Sequence, residues 1–160
     1  MQDILIWLAS GLGLGLSPRA PGTVGSLLAI PLAWWLLSLP QYRRIIISLI
    51  LIFAAIPLCD AASRWLGGGD VQQIVADEIV AMPLAVILLS AATRVWSVPL
   101  GYVLFRVFDI IKPFPVGWAE GLDGGGGLGI VADDVVAAIY AAIIIAVIYR
   151  LTRGRSTHSS

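Results

Sequence analysis

The stretch G-L-G-I-V-A-D-D-V-V-A-A-I-Y-A-A-I-I-I-A-V-I-Y, Gly127 to Tyr149, decides the fold class. From Val135 to Tyr149 it carries no charge, and its apolar residues fall all round a helical wheel rather than on one stripe. That pattern marks a helix surrounded by apolar material on every side. Asp133 and Asp134 stand directly before the run, so the same stretch that fixes the fold also poses the functional question.

The rest of the chain is of the same kind. With 59% hydrophobic and 12% charged residues among 160, and a mean hydropathy of +0.94, it reads as a membrane protein. A helix rises about 1.5 Å per residue and the hydrocarbon is about 30 Å thick, so a span wants about 20 apolar residues. Val24 to Leu39, Ile45 to Cys59, Ile79 to Ala92 and Val135 to Tyr149 approach that length and are predicted as membrane helices. Val98 to Ile111, apolar except for Arg106 and Asp109, is a predicted fifth. Ile4 to Leu16 alternates Gly11, Gly13 and Gly15 with leucines, which weakens a helix by about 1 kcal/mol per glycine. It reads as an interfacial or re-entrant segment, and Asp3 with no Lys or Arg before it argues against a signal peptide. The expected architecture is therefore all-α: a polytopic bundle of four to five membrane helices in one domain, residues 1–151. A polar tail, residues 152–160, is expected to be disordered.

Ten basic and ten acidic residues cancel, so no broad field attracts nucleic acid and any charge function is local. Cys59 has no partner for a disulfide, and the single histidine, His158, lies in the polar tail, which leaves zinc sites and histidine chemistry without residues. C-D-A-A-S-R at Cys59 to Arg64 is one residue short of a cysteine-phosphatase loop and lacks its glycines, so Cys59 reads as a small packing residue. No D-x-D is present. The run Gly124 to Gly127 is no Walker loop, since no Gly-Lys-Ser/Thr follows it.

Threading the helices as hairpins sorts the charges. One face receives S-P-R-A-P-G-T at Ser17 to Thr23, D-V-Q-Q-I-V-A-D-E at Asp70 to Glu78, F-R-V-F-D-I-I-K-P-F-P at Phe105 to Pro115, and G-G-L-G-I-V-A-D-D at Gly126 to Asp134. The other receives Arg43, Arg44, Arg94, Arg150, Arg153 and Arg155 with no acidic residue, which by the positive-inside rule would put that face in the cytoplasm.

Carboxylates gathered at a membrane surface repel one another and need a cation, and oxygen ligands of this kind suit magnesium. The competing reading is that Asp77, Glu78, Asp133 and Asp134 merely cap helix N-termini. Arg106, Asp109 and Lys112 fall at i, i+3 and i+6, near one helical face, as a phosphate bound through a metal and two cations requires. The alternative there is an internal Arg106 to Asp109 pair with Lys112 snorkelling to the headgroups. Thr23 is a candidate N-cap, with Gly22 leaving backbone N–H groups open to an anion and Arg19 adding charge.

These four clusters, in this order, resemble the phosphatidylglycerophosphatase A family of small bacterial membrane phosphatases over about Gly11 to Tyr140. The most specific parts are S-P-R-A-P-G-T-V-G-S, I-V-A-D-E, F-R-V-F-D-I-I-K-P-F-P and G-G-L-G-I-V-A-D-D-V-V-A. The resemblance implies magnesium-dependent removal of the terminal phosphate of phosphatidylglycerophosphate, a phospholipid substrate in the bilayer, in the inner membrane. It places the family's acidic positions on Asp77, Glu78, Asp109, Asp133 and Asp134 and its basic one on Lys112. Ala81 and Ala138 stand where the family pattern has glycine, and K-P-F-P where K-P-W-P is commoner. Asp77, Asp109, Lys112 and Arg106 are the expected catalytic groups; Arg19, Gly22, Thr23 and Lys112 the expected phosphate site; Mg2+ the expected cofactor. Asp109, between two cations, would be the nucleophile of an aspartyl route, and a metal-activated water is the simpler one. The substrate's synthesis on the cytoplasmic leaflet implies a cytoplasmic site, against the arginine count. The alternative function is a small divalent-cation transporter or channel.

Overall fold

The structure is a computed structural model that describes residues 2–68 and 71–156, without the side chains of Arg94 and residues 153–156. Asp70 of the second cluster and His158 lie outside the described residues. The described residues form helices joined by turns and short loops, with no strand among them.

Helix α1, Gln2–Ala9, ends where Gly11, Leu12 and Gly13 take left-handed backbone, as the glycine pattern predicts. The segment is anchored to the bundle through its glycines, while Ile4, Trp7, Leu12 and Leu16 stay exposed. A Cβ on Gly11, Gly15 or Gly25 would lie between 2.6 and 3.2 Å from a methyl of Val75, which is fully buried among them, and the Val75 N–H donates to Ala9 O at 2.9 Å. Three glycines thus collar the residue that leads into Asp77 and Glu78.

The predicted helix Val24 to Leu39 is two helices, α2, Pro21–Ser26, and α3, Ala29–Leu37. Pro31 has no N–H for the Leu27 carbonyl, and the chain crosses Leu27–Leu28 on tighter bonds such as Ile30 N to Leu27 O. Helix α4, Gln41–Leu66, is longer than the predicted Ile45 to Cys59, because Asp60 and Arg64 pair at 2.6 Å and carry the helix past its apolar part to Gly67. The predicted helix Ile79 to Ala92 is a short α5, Ala76–Ala81, followed by 3-10 turns at Met82–Ala85 and Ala91–Thr93. Its irregular stretch is tolerated because the buried Arg44 guanidinium donates to Ile87 O and Leu89 O, at 3.2 and 2.6 Å, and to Leu39 O at 2.8 Å. Helix α6, Arg94–Ile111, matches the predicted fifth segment, and the short α7, Val116–Glu120, leads to α8, Gly127–Ser156. Helix thus continues into the polar tail as far as Ser156, and residues 157–160 lie outside the described ones.

Two described helices, not four to five, are long and apolar enough to cross a membrane: Gln41–Leu66 and Gly127–Thr152. Proline accounts for much of the difference: Pro31 leaves the Leu27 carbonyl without a helical donor and the break falls at Leu27–Leu28, and Pro83 stands where α5 gives way to a 3-10 turn. Helix α8 runs through both hydrophobic cores. One joins Ala33, Met82, Val98, Phe105, Ala137 and Ala141; the other joins Ala55, Cys59, Ala62, Ile74, Ile130 and Val131. The small residues let backbones approach closely, and at Gly127 a Cβ would be 2.2 Å from Ile56 O. Ala81 and Ala138 are both fully buried in the first core, where their methyl groups add packing.

Candidate active site

The start of α5, the end of α6 and the first turns of α8 meet at one end of the bundle. Near the end of α6, Arg106 Nη1 donates to the Glu78 carboxylate and, at 2.7 Å, to Asp109 Oδ2. One helix end further, Lys112 Nζ lies 2.8 Å from Asp133 Oδ2 and 3.0 Å from Glu120 Oε2. Asp77, Asp133 and Asp134 are buried beneath these pairs. Burial pushes the Glu78 carboxyl up to about 7 against the charge and hydrogen bond of Arg106, with Asp109 adding to the rise.

Asp109, Asp133 and Asp134 each bring a carboxylate oxygen within 4.8 Å of the others. Asp134 Oδ2 is buried with no hydrogen-bond partner, while the carboxylates of Asp77, Asp109 and Asp133 press on it with like charge. Burying such an oxygen without compensation is costly, and a hard cation is the group that a set of acceptor-only oxygens fits.

Beside the carboxylates lies a cavity of about 310 Å³. Its wall includes Gly22, Thr23, Glu78, Arg106, Asp109 and Lys112, so three of the four sequence clusters open onto it and the fourth lies behind Lys112. The capping reading of Asp133 and Asp134 does not hold. They stand six and seven residues inside α8, whose N-terminus is capped by Asp123 through the N–H groups of Gly126, Leu128 and Gly129 at 3.0 to 3.1 Å. Asp77 and Glu78 are in the first turn of α5, but its N-cap is Val75 and Glu78 is turned to Arg106. The Arg106 to Asp109 pair exists as part of a three-membered network, and Lys112 points to Asp133 and Glu120 rather than outward.

Two expectations for the first cluster change. Helix α2 begins at Pro21 with Ala20 as its N-cap, so Thr23 lies inside the helix; its carbonyl accepts from Tyr102 Oη at 2.8 Å. Arg19 is exposed and is not part of the cavity wall. Gly22 lies in the cavity wall, where a Cβ would be 2.9 Å from Glu78 Oε1 and 3.2 Å from Arg106 Nη2. Gly22→Val is therefore expected to lower kcat/KM for the substrate by about 100-fold, since a branched side chain both fills the cavity and displaces the ion pair. Steady-state kinetics check this, and wild-type values would exclude a close approach of Gly22 to the substrate. Reading along the chain missed Glu120 and Tyr102, which neither spacing nor motif connects to the site.

Buried carboxylates backed by an arginine and a lysine thus meet at one end of an apolar helical bundle. The sequence pattern described as phosphatidylglycerophosphatase A matches residues 7–149, and the chain belongs to that family. It is 39% identical over 140 residues to phosphatidylglycerophosphatase A of Escherichia coli strain K12, covering 86% of this chain and 79% of that one. It is also 39% identical over 140 residues to the Haemophilus influenzae protein of the same name, covering 86% and 84%. A putative phosphatidylinositol-3-phosphatase of Bacteroides thetaiotaomicron is 35% identical over 150 residues, covering 89% and 91%. No solved structure matches the chain.

Proposed function

We propose that this phosphatase removes the terminal phosphate of phosphatidylglycerophosphate in the bacterial inner membrane, giving phosphatidylglycerol and inorganic phosphate, with magnesium as its cofactor. The observation that carries the reading is the gathering of Asp109, Asp133 and Asp134 oxygens beside a cavity lined by Arg106 and Lys112. Asp109, Asp133 and Asp134, with Asp77 and Glu78 nearby, would hold magnesium, which when bound offsets phosphate charge and makes water a better nucleophile. Lys112 and Arg106 bind the phosphate oxygens. Glu78 and Asp109 hold the Arg106 fork in place, and Gly22 keeps the cavity open above it. Hydrolysis breaks the bond between phosphorus and the glycerol oxygen, adds the oxygen of water to phosphorus and leaves the proton on the released alcohol. An Asp109 already accepting from Arg106 is a poor nucleophile, which favours water over an aspartyl route.

Two apolar helices and the tryptophans support a membrane setting. Trp65 and Trp118 are exposed at the site end, and Trp34, Trp35 and Trp96 at the other, as in the aromatic belts of membrane proteins. Arg44 spends its guanidinium on three carbonyls rather than on headgroups, which weakens the arginine bias against a cytoplasmic site. We place the site on the cytoplasmic side.

Purified protein in detergent micelles is expected to release phosphate from phosphatidylglycerophosphate with kcat/KM at least about 100-fold above that for soluble glycerol 3-phosphate, because the embedded ester arrives already positioned. A preference for phosphatidylinositol 3-phosphate, equal rates on glycerol 3-phosphate, or magnesium flux in liposomes with no phosphate release would overturn the proposal.

A further inference from the structure

Glu120 is absent from the sequence motifs, yet the chain between Lys112 and Asp133 is folded so as to bring it to the site. After α6 the backbone turns at Lys112, which has φ 45, and Val116 N bonds back to Pro113 O at 2.6 Å. This lays α7 against the turn, where a Cβ on Gly117 would lie 3.3 Å from Lys112 O. The far end of α7 is pressed on the first turn of α8: a Cβ on Gly129 would lie 2.3 Å from Glu120 O and 2.6 Å from Leu122 O. Gly129 is one helical turn before Asp133, and Asp123 ties the same turn down through three backbone N–H groups. The result is a strut, fixed at both ends, that presents the Glu120 carboxylate 3.0 Å from Lys112 Nζ.

We propose that Glu120 is a positioning residue that holds the Lys112 ammonium at the cavity wall, where it can bind a phosphate oxygen. The inference rests on the reading of Lys112 as a phosphate-binding group. Asp133 and Glu120 both pair with this lysine. Asp133 is almost fully buried whereas Glu120 is about a third exposed, so they pull the ammonium in different directions, inward and outward. A lysine side chain has several rotatable bonds and no fixed fork, so its position is set by its partners. With Glu120 removed, the outward pull on the ammonium is lost and it shifts towards Asp133, away from incoming phosphate. Glu120 itself touches neither substrate nor the buried carboxylates in this scheme; it acts through Lys112.

The experiment compares Glu120→Ala, Glu120→Gln, Glu120→Asp, Lys112→Met and the double variant Glu120→Ala/Lys112→Met, purified in detergent. The readouts are KM and kcat on phosphatidylglycerophosphate and inhibition by inorganic phosphate. Glu120→Ala and Glu120→Gln are expected to raise KM and the phosphate inhibition constant about tenfold, the value of one charge-assisted contact, with kcat changed less than about threefold. Glu120→Asp is expected to recover most of the loss, and Glu120→Ala to add nothing on the Lys112→Met background. Lys112→Met raising both constants while Glu120→Ala leaves them unchanged would overturn the positioning role alone. So would a Glu120→Ala loss that persists in full on the Lys112→Met background. Lys112→Met leaving both constants unchanged would overturn the phosphate-binding reading beneath it.

Discussion

Asp134→Asn is expected to lower turnover by at least about a thousandfold, some 4 kcal/mol of transition-state stabilisation, while leaving the protein at least as stable in chelator as the wild type. The two halves of this expectation have one cause. Asp134 is buried, one of its oxygens has no hydrogen-bond partner, and neighbouring carboxylates repel it. Neutralising it removes that repulsion from the metal-free fold and removes a cation ligand from the working site. Thermal unfolding in detergent with chelator, beside phosphate release with magnesium, checks both. A structural role predicts the reverse pattern, with lowered stability and near-normal turnover, and Asp77→Asn distinguishes the two readings of α5 in the same way. A pure capping role at Asp77 would cost about 1 kcal/mol of stability and little activity; membership of the carboxylate cluster predicts turnover lost with the fold intact.

Arg106→Ala is expected to cost both activity and stability. Its guanidinium side chain is 13% exposed and bridges Glu78 and Asp109, themselves 12% and 14% exposed. Removing it strands two carboxylates in poor solvent, a loss of about 3–5 kcal/mol where one member of a buried ion pair is deleted. Arg106→Lys keeps the charge without the planar fork and is expected to fall between Ala and the wild type. Phosphate release and unfolding temperature, measured on the same preparations, check the result. An Arg106→Ala protein with wild-type stability would mean that Glu78 and Asp109 are held by something other than this network.

Much of the site was legible in the sequence because its residues lie next to the ends of apolar segments. Asp77 and Glu78, the Arg106 to Lys112 triplet, and Asp133 with Asp134 are all near such ends, and hairpin threading alone brings them to one face. The structure keeps that convergence although several helices differ. Helix α6 contains Val98 to Ile111 but begins four residues earlier, at Arg94, with Pro99 inside it. The segments Val24 to Leu39 and Ile79 to Ala92 were misread as continuous because composition says how apolar a stretch is and not where its hydrogen bonds go. Pro31 breaks the first of these, and in the second the buried Arg44 takes carbonyls that a helix would otherwise occupy. Arg44 was counted from sequence as a surface charge, and only its tertiary partners reveal otherwise. Thr23 reads as an N-cap if the helix starts with the apolar run at Val24, whereas Pro21 starts it three residues earlier. Glu120 had no signal at all, since its role depends on α7 folding back across Lys112. Asp123, the true cap of α8, was hidden in a glycine-rich stretch whose default reading is a linker.

The central claim is that the buried carboxylates work as a magnesium site for phosphate ester hydrolysis, and chelation with add-back tests it most directly. Phosphate release from phosphatidylglycerophosphate should fall to background in excess chelator and return in full when magnesium is restored. Calcium should substitute poorly, because it prefers longer and looser coordination than a compact set of carboxylates offers. Full activity in chelator, with no response to added magnesium, would contradict the account and leave the gathering of Asp109, Asp133 and Asp134 without its explanation.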